Sequence, residues 1–275
     1  MTTTFRIAAV AFFTILSSFA AFGQSPPPAT SAQGFHSQVR LLSGGKQGGQ
    51  WLAGIEITLD PGFKTYWRNP GESGLPPSFD WSASENVAGV EVRWPAPKRH
   101  EDAAGIAYVY SHRVILPVLV EPKAADKPVK LALTVDYGVC RDICIPAHAD
   151  LILPLTDSGP DRPEIEKAMA KVPRKQALGA QGGLAVVSVE PKAGEPSALS
   201  VSVRAPAGTK PVLFAEVPEN WYVSTSPAEE NDRFTVTVEE KPKDATGPVP
   251  LTLTLVAGDE AVETQVSLDG GEQPR

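Results

Sequence analysis

Hydrophobic and polar residues alternate along most of this chain with a period of two, which predicts β-strands. In the first half, this alternation or a short apolar run predicts strands at Trp51–Leu59, Val114–Val120, Lys130–Tyr137 and Ala149–Leu155. In the second half it predicts strands at Leu184–Val189, Leu199–Val203, Phe234–Val238, Leu251–Leu255 and Val262–Leu268. Short strands at this spacing, joined by turns rich in Pro and Gly, predict an antiparallel β-sandwich. Pro117 predicts an edge strand or a bulge, because proline cannot donate to a strand ladder.

The pattern changes once, between the two sets of strands. Residues 161–172 begin with Asp161 and Pro163, carry acids early and bases late, and are followed by Pro173, which is typical of one short helix. Residues 179–183 are rich in glycine and predict a linker. We therefore expect an all-β protein with a first sandwich domain at 36–157, a helix and linker at 158–183, and a second sandwich domain at 184–270.

The first residues predict export from the cytoplasm. Arg6 precedes an uncharged apolar stretch, Ile7–Phe22, and small residues end the segment at Gly23. This arrangement is typical of a secretory signal peptide over residues 1–23 and favours a periplasmic location. We expect a flexible leader at 24–35. The chain is acidic, with 32 Asp and Glu against 25 Lys and Arg, and it lacks the basic stripe that a nucleic-acid partner would need.

The chain has two cysteines, Cys140 and Cys144. A disulfide that closes so short a loop would stabilise the fold by only about 2 kcal/mol, so the pair is poorly placed as a staple. In an exported protein this spacing favours a redox pair, since a second nearby cysteine can resolve a mixed disulfide. Arg141 would favour a thiolate and Asp142 would oppose it.

Two alternatives remain open at the level of the sequence. One is a non-redox binding module, in which the disulfide is only structural. The other is a periplasmic copper-binding protein, since on a helix Cys140, Cys144 and His148 would align as three ligands. Pro146 is unfavourable for such a helix.

Several segments in order carry a family resemblance. These are Tyr66–Pro77 (YWRNPGESGLPP), Trp94–Pro97 (WPAP), Tyr108–Tyr110 (YVY), Val114–Val118 (VILPV) and Tyr137–Ala147 (YGVCRDICIPA). Together they resemble the N-terminal periplasmic domain of the DsbD-type thiol:disulfide interchange proteins, in the branch that includes suppressor-of-copper-sensitivity proteins. The resemblance covers about residues 36–155, so the second sandwich lies outside it.

The resemblance implies an immunoglobulin-like fold and a thiol–disulfide oxidoreductase that works as an electron relay without a bound cofactor. Cys140 and Cys144 would be the redox pair, with Cys144 forming the mixed disulfide and Cys140 resolving it. A membrane-embedded or thioredoxin-like donor on another chain would supply electrons. Periplasmic disulfide isomerases or thioredoxin-like proteins of cytochrome c biogenesis would receive them.

The same family shields its cysteines with a cap loop that carries an aromatic ring. The corresponding stretch here, His100–Gly105, has no Phe, Tyr or Trp ring. We therefore expect any shielding of the pair to come from aromatic residues elsewhere, and the candidates are Tyr66, Trp67, Tyr108 and Tyr137.

Overall fold

The computed structural model describes residues 29–103 and 105–269. The predicted signal peptide and the first part of the expected leader lie outside these residues. Among the helices in the described ranges, none is long and apolar enough to cross a membrane.

Eleven strands precede the helix. In chain order they are β1 (Ser31–Gly34), β2 (Ser37–Gln47), β3 (Gln50–Leu59), β4 (Lys64–Gly71), β5 (Ser78–Asp80), β6 (Val87–Val92), β7 (Lys98–Asp102), β8 (Gly105–Ser111), β9 (Arg113–Pro122), β10 (Val129–Cys140) and β11 (Cys144–Leu155). They form two sheets, one in the order β1-β2-β3-β9-β6 and one in the order β11-β10-β4-β8-β7, with β5 paired to β10. We call these two sheets the first sandwich.

The second half of the described chain contains the helix and eight strands. They are α1 (Arg162–Met169), β12 (Arg174–Lys175), β13 (Ala185–Pro191), β14 (Ala198–Arg204), β15 (Val212–Glu216), β16 (Tyr222–Thr225), β17 (Arg233–Glu240), β18 (Pro248–Ala257) and β19 (Glu260–Asp269). The sheets β12-β19-β18-β15 and β13-β14-β17-β16 form the second sandwich. The predicted immunoglobulin-like, all-β fold class is confirmed. The domain limits stay a prediction.

Each sandwich encloses its own apolar core, because alternate residues of facing sheets point inward. In the first sandwich, Ile55 and Leu116 from one sheet meet Leu131 and Leu133 from the other, and all four are almost fully buried. The core of the second sandwich contains Phe234 and Val236 of β17 and the leucines of β18. This packing is what the period-two pattern of the sequence predicts.

Two details differ from expectation. The leader over 24–35 is not wholly flexible, since Ser31–Gly34 forms β1 and pairs with β2. Pro117 is in neither an edge strand nor a bulge, because β9 lies between β3 and β6. The ladder with β6 ends at the Val92–Val118 pair, and the carbonyl of Pro117 then accepts a bond from the Arg93 amide. In an antiparallel strand the nitrogen and the carbonyl of one residue point to the same side, so the Pro117 nitrogen also faces β6. It lies beyond the last pair of that ladder, so the missing N–H of Pro117 costs no hydrogen bond between the strands.

The predicted helix is present as α1, and it packs on the outer face of the β2-β3-β9 sheet through Ile165, which contacts a cluster with Leu42 and Leu52. Asp161 precedes this helix, a position at which an aspartate side chain usually caps the helix. The Asp161 carboxylate accepts a bond from the Ser43 amide, at 2.9 Å, instead of capping its own helix. Asp161 therefore fixes the helix to the sandwich.

The two sandwiches are joined by aromatic and charged contacts. Phe214 of β15 belongs to the core of the first sandwich and lies edge-on to Trp67 and Tyr108, with ring centroids 5.7 and 4.8 Å apart. Beside them Arg68 makes two bonds to Glu216, at 2.8 and 2.7 Å, and one to Glu263, at 2.7 Å. Burial alone would lower the pKa of Arg68, but its bonds to the two glutamates raise it. We call Arg68, Glu216 and Glu263 the interface triad.

Candidate functional site

The two cysteines form a disulfide at the tip of the β10–β11 hairpin. They are the last pair of the ladder, with Cα atoms 4.1 Å apart, and Arg141, Asp142 and Ile143 form the turn beyond them. The sequence predicted strands at Lys130–Tyr137 and Ala149–Leu155, with the cysteines in the segment between them. The strands in fact extend up to the cysteines themselves, so the sheet fixes the position of both sulfur-bearing residues.

The two cysteines differ in exposure. Cys140 is only 3% exposed, whereas Cys144 is exposed and adjoins Ile143, which is 71% exposed. A disulfide can be attacked only at a sulfur that an incoming thiolate can approach. The difference in exposure therefore favours attack at Cys144 and protection of Cys140.

The alternation of strand residues explains what surrounds Cys140. Tyr66 of β4 and Ala107 and Val109 of β8 form a small buried cluster with Cys140, separate from the main core. This cluster lies on the outer face of its sheet, because the neighbouring residues Trp67 and Tyr108 point into the core. We call this outer face of the sheet, which carries Tyr66, Ala107, Val109 and Cys140, the redox face.

Tyr66 is the aromatic residue that contacts the disulfide. Its hydroxyl lies 2.9 Å from Cys144 Sγ. A disulfide sulfur carries no hydrogen, so the phenol must be the donor. Burial, together with the negative charge of Asp102, raises the pKa of Tyr66, which keeps the phenol protonated and able to donate.

A row of polar side chains continues from Tyr66 across the redox face. Lys64 lies opposite Cys140 in the ladder between β4 and β10. Its Nζ lies 2.7 Å from His100 Nε2 and 3.9 Å from the Asp102 carboxylate, and His100 Nε2 lies 3.1 Å from that same carboxylate. The β7–β8 hairpin thus places a histidine and a carboxylate, rather than Phe, Tyr or Trp, on the redox face.

The segment between β4 and β5 covers part of this face. A Cβ atom built on Gly138 would lie 2.8 Å from Leu75 Cβ and 3.2 Å from Tyr66 Cδ2, so the segment packs directly on the β10 backbone. Gly74 likewise approaches the Tyr66 ring. Leu75 remains 40% exposed, and with Ile143 it provides exposed apolar surface beside the disulfide.

The other three aromatic candidates do not lie on the redox face. Trp67 and Tyr108 are part of the core and contact Phe214 of the second sandwich. The Tyr137 hydroxyl bonds to the Ser37 hydroxyl at 2.7 Å, inside the first sandwich. Burial raises the pKa of Tyr137. We therefore correct the assignment of Trp67, Tyr108 and Tyr137 as shielding residues, because strand alternation turns all three away from the cysteines.

The structure separates His148 from the cysteines. Cys144 and His148 lie on one strand, where four residues span about 13 Å, whereas the metal hypothesis assumed the spacing of a helix. His148 instead bonds to Asp136 at 2.7 Å and to Asp150 at 3.4 Å, and these bonds raise its pKa. Within the described ranges, no three His, Cys, Asp or Glu side chains cluster as metal ligands.

The charges flanking Cys140 in the sequence largely offset one another. The Arg141 Nε bonds to the Asp142 carboxylate at 2.9 Å, and the guanidinium lies over the Phe63 ring, 4.9 Å from its centroid. The sequence pointed to these two residues and did not single out Lys64, His100 and Asp102 as part of the site. The signal for the last three was the spacing of two residues, which places 64 and 66 on one face of β4 and 100 and 102 on one face of β7.

These observations define a two-sandwich protein with a disulfide at a hairpin tip, one exposed sulfur-bearing residue and a hydroxyl donor beside it. Comparison with known families gives this class a name. Residues 35–156 match the family described as "Thiol:disulfide interchange protein DsbD, N-terminal". This part of the chain is a DsbD-type N-terminal domain, as its sequence motifs predicted.

One solved structure resembles nearly the whole chain. The N-terminal periplasmic domain of ScsB from Proteus mirabilis aligns with a TM-score of 0.68 and 22% identity, over 88% of this chain and 100% of that one. Domains 5-6 of the S-layer protein SbsC align with 14% identity over 85% of this chain and 97% of that one, but a TM-score of 0.22 supports no comparison. The comparison with curated protein sequences gave no match. The ScsB likeness supports the shared fold of both sandwiches.

Proposed function

We propose that this protein exchanges thiols and disulfides with protein partners through Cys140 and Cys144, as a periplasmic electron relay. The observation that carries the proposal is the asymmetry of the pair: Cys144 is exposed at the hairpin tip, and its cross-strand partner Cys140 is buried. An exchange protein needs one cysteine sulfur that a partner can reach. It also needs a second cysteine that is protected from partners and attacks only the mixed disulfide formed by the first.

The chemistry follows from this arrangement. In the reduced protein, the Cys144 thiolate attacks one sulfur of a partner disulfide, and the other partner sulfur leaves as a thiolate. Cys140 then attacks Cys144 Sγ, which forms the Cys140–Cys144 bond and releases the second partner thiolate. Two electrons and two protons pass to the partner. Run in reverse, the same steps recharge the pair from a donor.

The partners we propose are thioredoxin-like proteins. A membrane-embedded or thioredoxin-like donor on another chain would reduce the pair, and a periplasmic disulfide isomerase or a thioredoxin-like protein of cytochrome c maturation would be reduced by it. The family of residues 35–156 supports this class of partner. The exposed apolar side chains of Leu75 and Ile143, beside Cys144, provide surface on which such a partner could dock.

Single-cysteine variants test the proposal. We expect Cys140→Ala to accumulate a mixed disulfide with a thioredoxin-like protein that keeps only its exposed active-site cysteine, supplied as the mixed disulfide with thionitrobenzoate. Cys144 stays reachable, thionitrobenzoate is the leaving group, and neither chain has a second cysteine that resolves the bond. Cys144→Ala is the matched control and should trap far less, since Cys140 is buried. Equal trapping by both variants would contradict the roles assigned here.

The reduction potential of the purified wild-type pair gives an independent measurement. We expect a value between about −180 and −270 mV in glutathione and thioredoxin buffers, the range of exchange-active thiol proteins. A value below about −300 mV, typical of structural disulfides, would refute the relay and support a binding module.

A further inference from the structure

The inference below rests on the proposed exchange function and concerns the buried cysteine. To resolve a mixed disulfide, Cys140 must lose its proton, because the thiolate is the nucleophile. Burial in apolar surroundings opposes that loss. Cys140 is 3% exposed and packs against Ala107 and Val109, so a charged neighbour must offset this effect.

Lys64 is placed to be that neighbour. It is the direct cross-strand partner of Cys140, and directly opposite residues have Cβ atoms about 4.5 to 5.5 Å apart on the same face of a sheet. Lys64 lies on the face of β4 that also carries Tyr66, whose hydroxyl contacts Cys144 Sγ. Its side chain is only 18% exposed, so its charge is less screened by water than that of an ordinary surface lysine.

The other charges around Cys140 do not replace it. Arg141 is engaged by Asp142 and the Phe63 ring. Asp102 raises the pKa of Tyr66 and carries a negative charge, which opposes a thiolate. The Lys64 ammonium can only donate, so His100 Nε2 accepts in their 2.7 Å contact and His100 adds no positive charge there.

Lys64 keeps its ammonium charge in its contacts, and the carboxylate with which it pairs, that of Asp102, is about half exposed and screened by water. The short bond of Lys64 is to His100, at 2.7 Å, while the carboxylate of Asp102 is 3.9 Å away. An imidazole that accepts a hydrogen bond holds the ammonium in place without neutralising it. His100 and Asp102 therefore act as positioning residues that keep Lys64 on the redox face.

We propose that Lys64 stabilises the thiolate of Cys140 and so promotes the second step of exchange. In that step the Cys140 thiolate attacks Cys144 Sγ, the Cys140–Cys144 bond forms, the bond from Cys144 to the partner breaks, and the partner sulfur leaves as a thiolate. Lys64 gains and loses no bond to sulfur. It favours the ionised form of Cys140 before the attack.

The test isolates Cys140 in a Cys144→Ala background and follows its 13Cβ chemical shift by NMR as pH is raised. We expect Lys64→Met to move the midpoint of the titration upward by about one pH unit, a tenfold loss of thiolate below the midpoint. Lys64→Arg should restore most of the shift, because it keeps the charge. A merely structural lysine would show no such dependence on charge.

Lys130→Met is the matched control. Lys130 lies on the same strand and the same face as Cys140 but ten residues away, about 33 Å, which exceeds the screening length of physiological salt. Lys130→Met should therefore leave the midpoint of the Cys140 titration unchanged. Thermal unfolding of each variant establishes that it is folded, and Lys64→Gln provides a second neutral variant. The proposal is overturned if both folded neutral variants titrate within about 0.2 pH units of the parent.

These measurements distinguish a failure of the role of Lys64 from a failure of the proposed exchange function. If the wild-type potential lies in the exchange-active range and Cys140→Ala traps partners while Lys64→Met has no effect on the titration, only the role of Lys64 fails. If the pair is inert towards thioredoxin-like proteins, the relay fails whatever the titration shows.

Discussion

The interface triad predicts how strongly the two sandwiches depend on one arginine. Arg68 makes three charge-assisted bonds to carboxylates that are 18% and 17% exposed. Arg68→Met keeps most of the packing of the side chain on Trp67 but leaves Glu216 and Glu263 as uncompensated, largely buried charges. Removing one partner of a buried ion pair costs about 3 to 5 kcal/mol. Since Arg68 itself is 31% exposed, we expect about 3 kcal/mol.

The assay is urea and thermal unfolding of the disulfide-intact protein, followed by circular dichroism and tryptophan fluorescence. A loss of about 3 kcal/mol corresponds to a fall in Tm of about 6 to 12 °C for a chain of this size. Glu216→Gln and the double variant complete a cycle, and we expect a coupling energy between the two residues of at least about 1 kcal/mol.

Arg174→Met is the matched control for this prediction. Arg174 makes one bond to Glu260, at 3.1 Å, and both side chains are about half exposed or more. Such a surface pair contributes under about 1 kcal/mol. If Arg68→Met behaves like Arg174→Met, or if the cycle shows no coupling, the reasoning about the triad is refuted.

Three further predictions concern the redox face and its surroundings. Tyr66→Phe removes the hydroxyl that donates a hydrogen bond to Cys144 Sγ. Such a hydrogen bond is stronger to a thiolate than to a disulfide, so it stabilises the reduced pair. Without it, the reduction potential of the Cys140–Cys144 pair should fall by about 20 mV. Gly138→Ala introduces a Cβ atom 2.8 Å from Leu75 Cβ, so it should displace the covering segment and speed reduction of the disulfide by dithiothreitol. Burial, followed by the charge of Glu72, raises the pKa of Tyr222 to about 12. The unfolded phenol ionises first, so stability is retained below about pH 10 and is lost as pH rises towards 12.

Each of these has an outcome that contradicts it. An unchanged potential in folded Tyr66→Phe would show that the hydroxyl does not distinguish the two redox states. Reduction of Gly138→Ala at the wild-type rate would mean that Leu75 does not limit access. For Tyr222, absorbance of tyrosinate gives the midpoint directly, and Tyr222→Phe should flatten the loss of stability between about pH 10 and 12. An equally steep loss in Tyr222→Phe would assign it to another group.

The period-two pattern predicted the long strands well. Those at Trp51–Leu59 and Lys130–Tyr137 are present as β3 and β10, extended by a few residues. The short strands β7, β15 and β16 were missed, because five residues or fewer give too little alternation to separate a strand from a turn. The leader was wrong in part for a related reason. Ser31–Gly34 has no hydrophobic pattern, and its strand exists only through pairing with β2.

The sequence by itself determined the fold class, the family of residues 35–156 and the pair of cysteines, because strand periodicity and short motifs are local properties of the chain. Only the tertiary structure decided what surrounds that pair. It placed Tyr66 at Cys144, 78 positions away along the chain, and Lys64 opposite Cys140. Which strands become neighbours depends on the packing of whole sheets rather than on local pattern. The same packing turned Trp67 and Tyr108 inward, where they hold the second sandwich instead of shielding the disulfide.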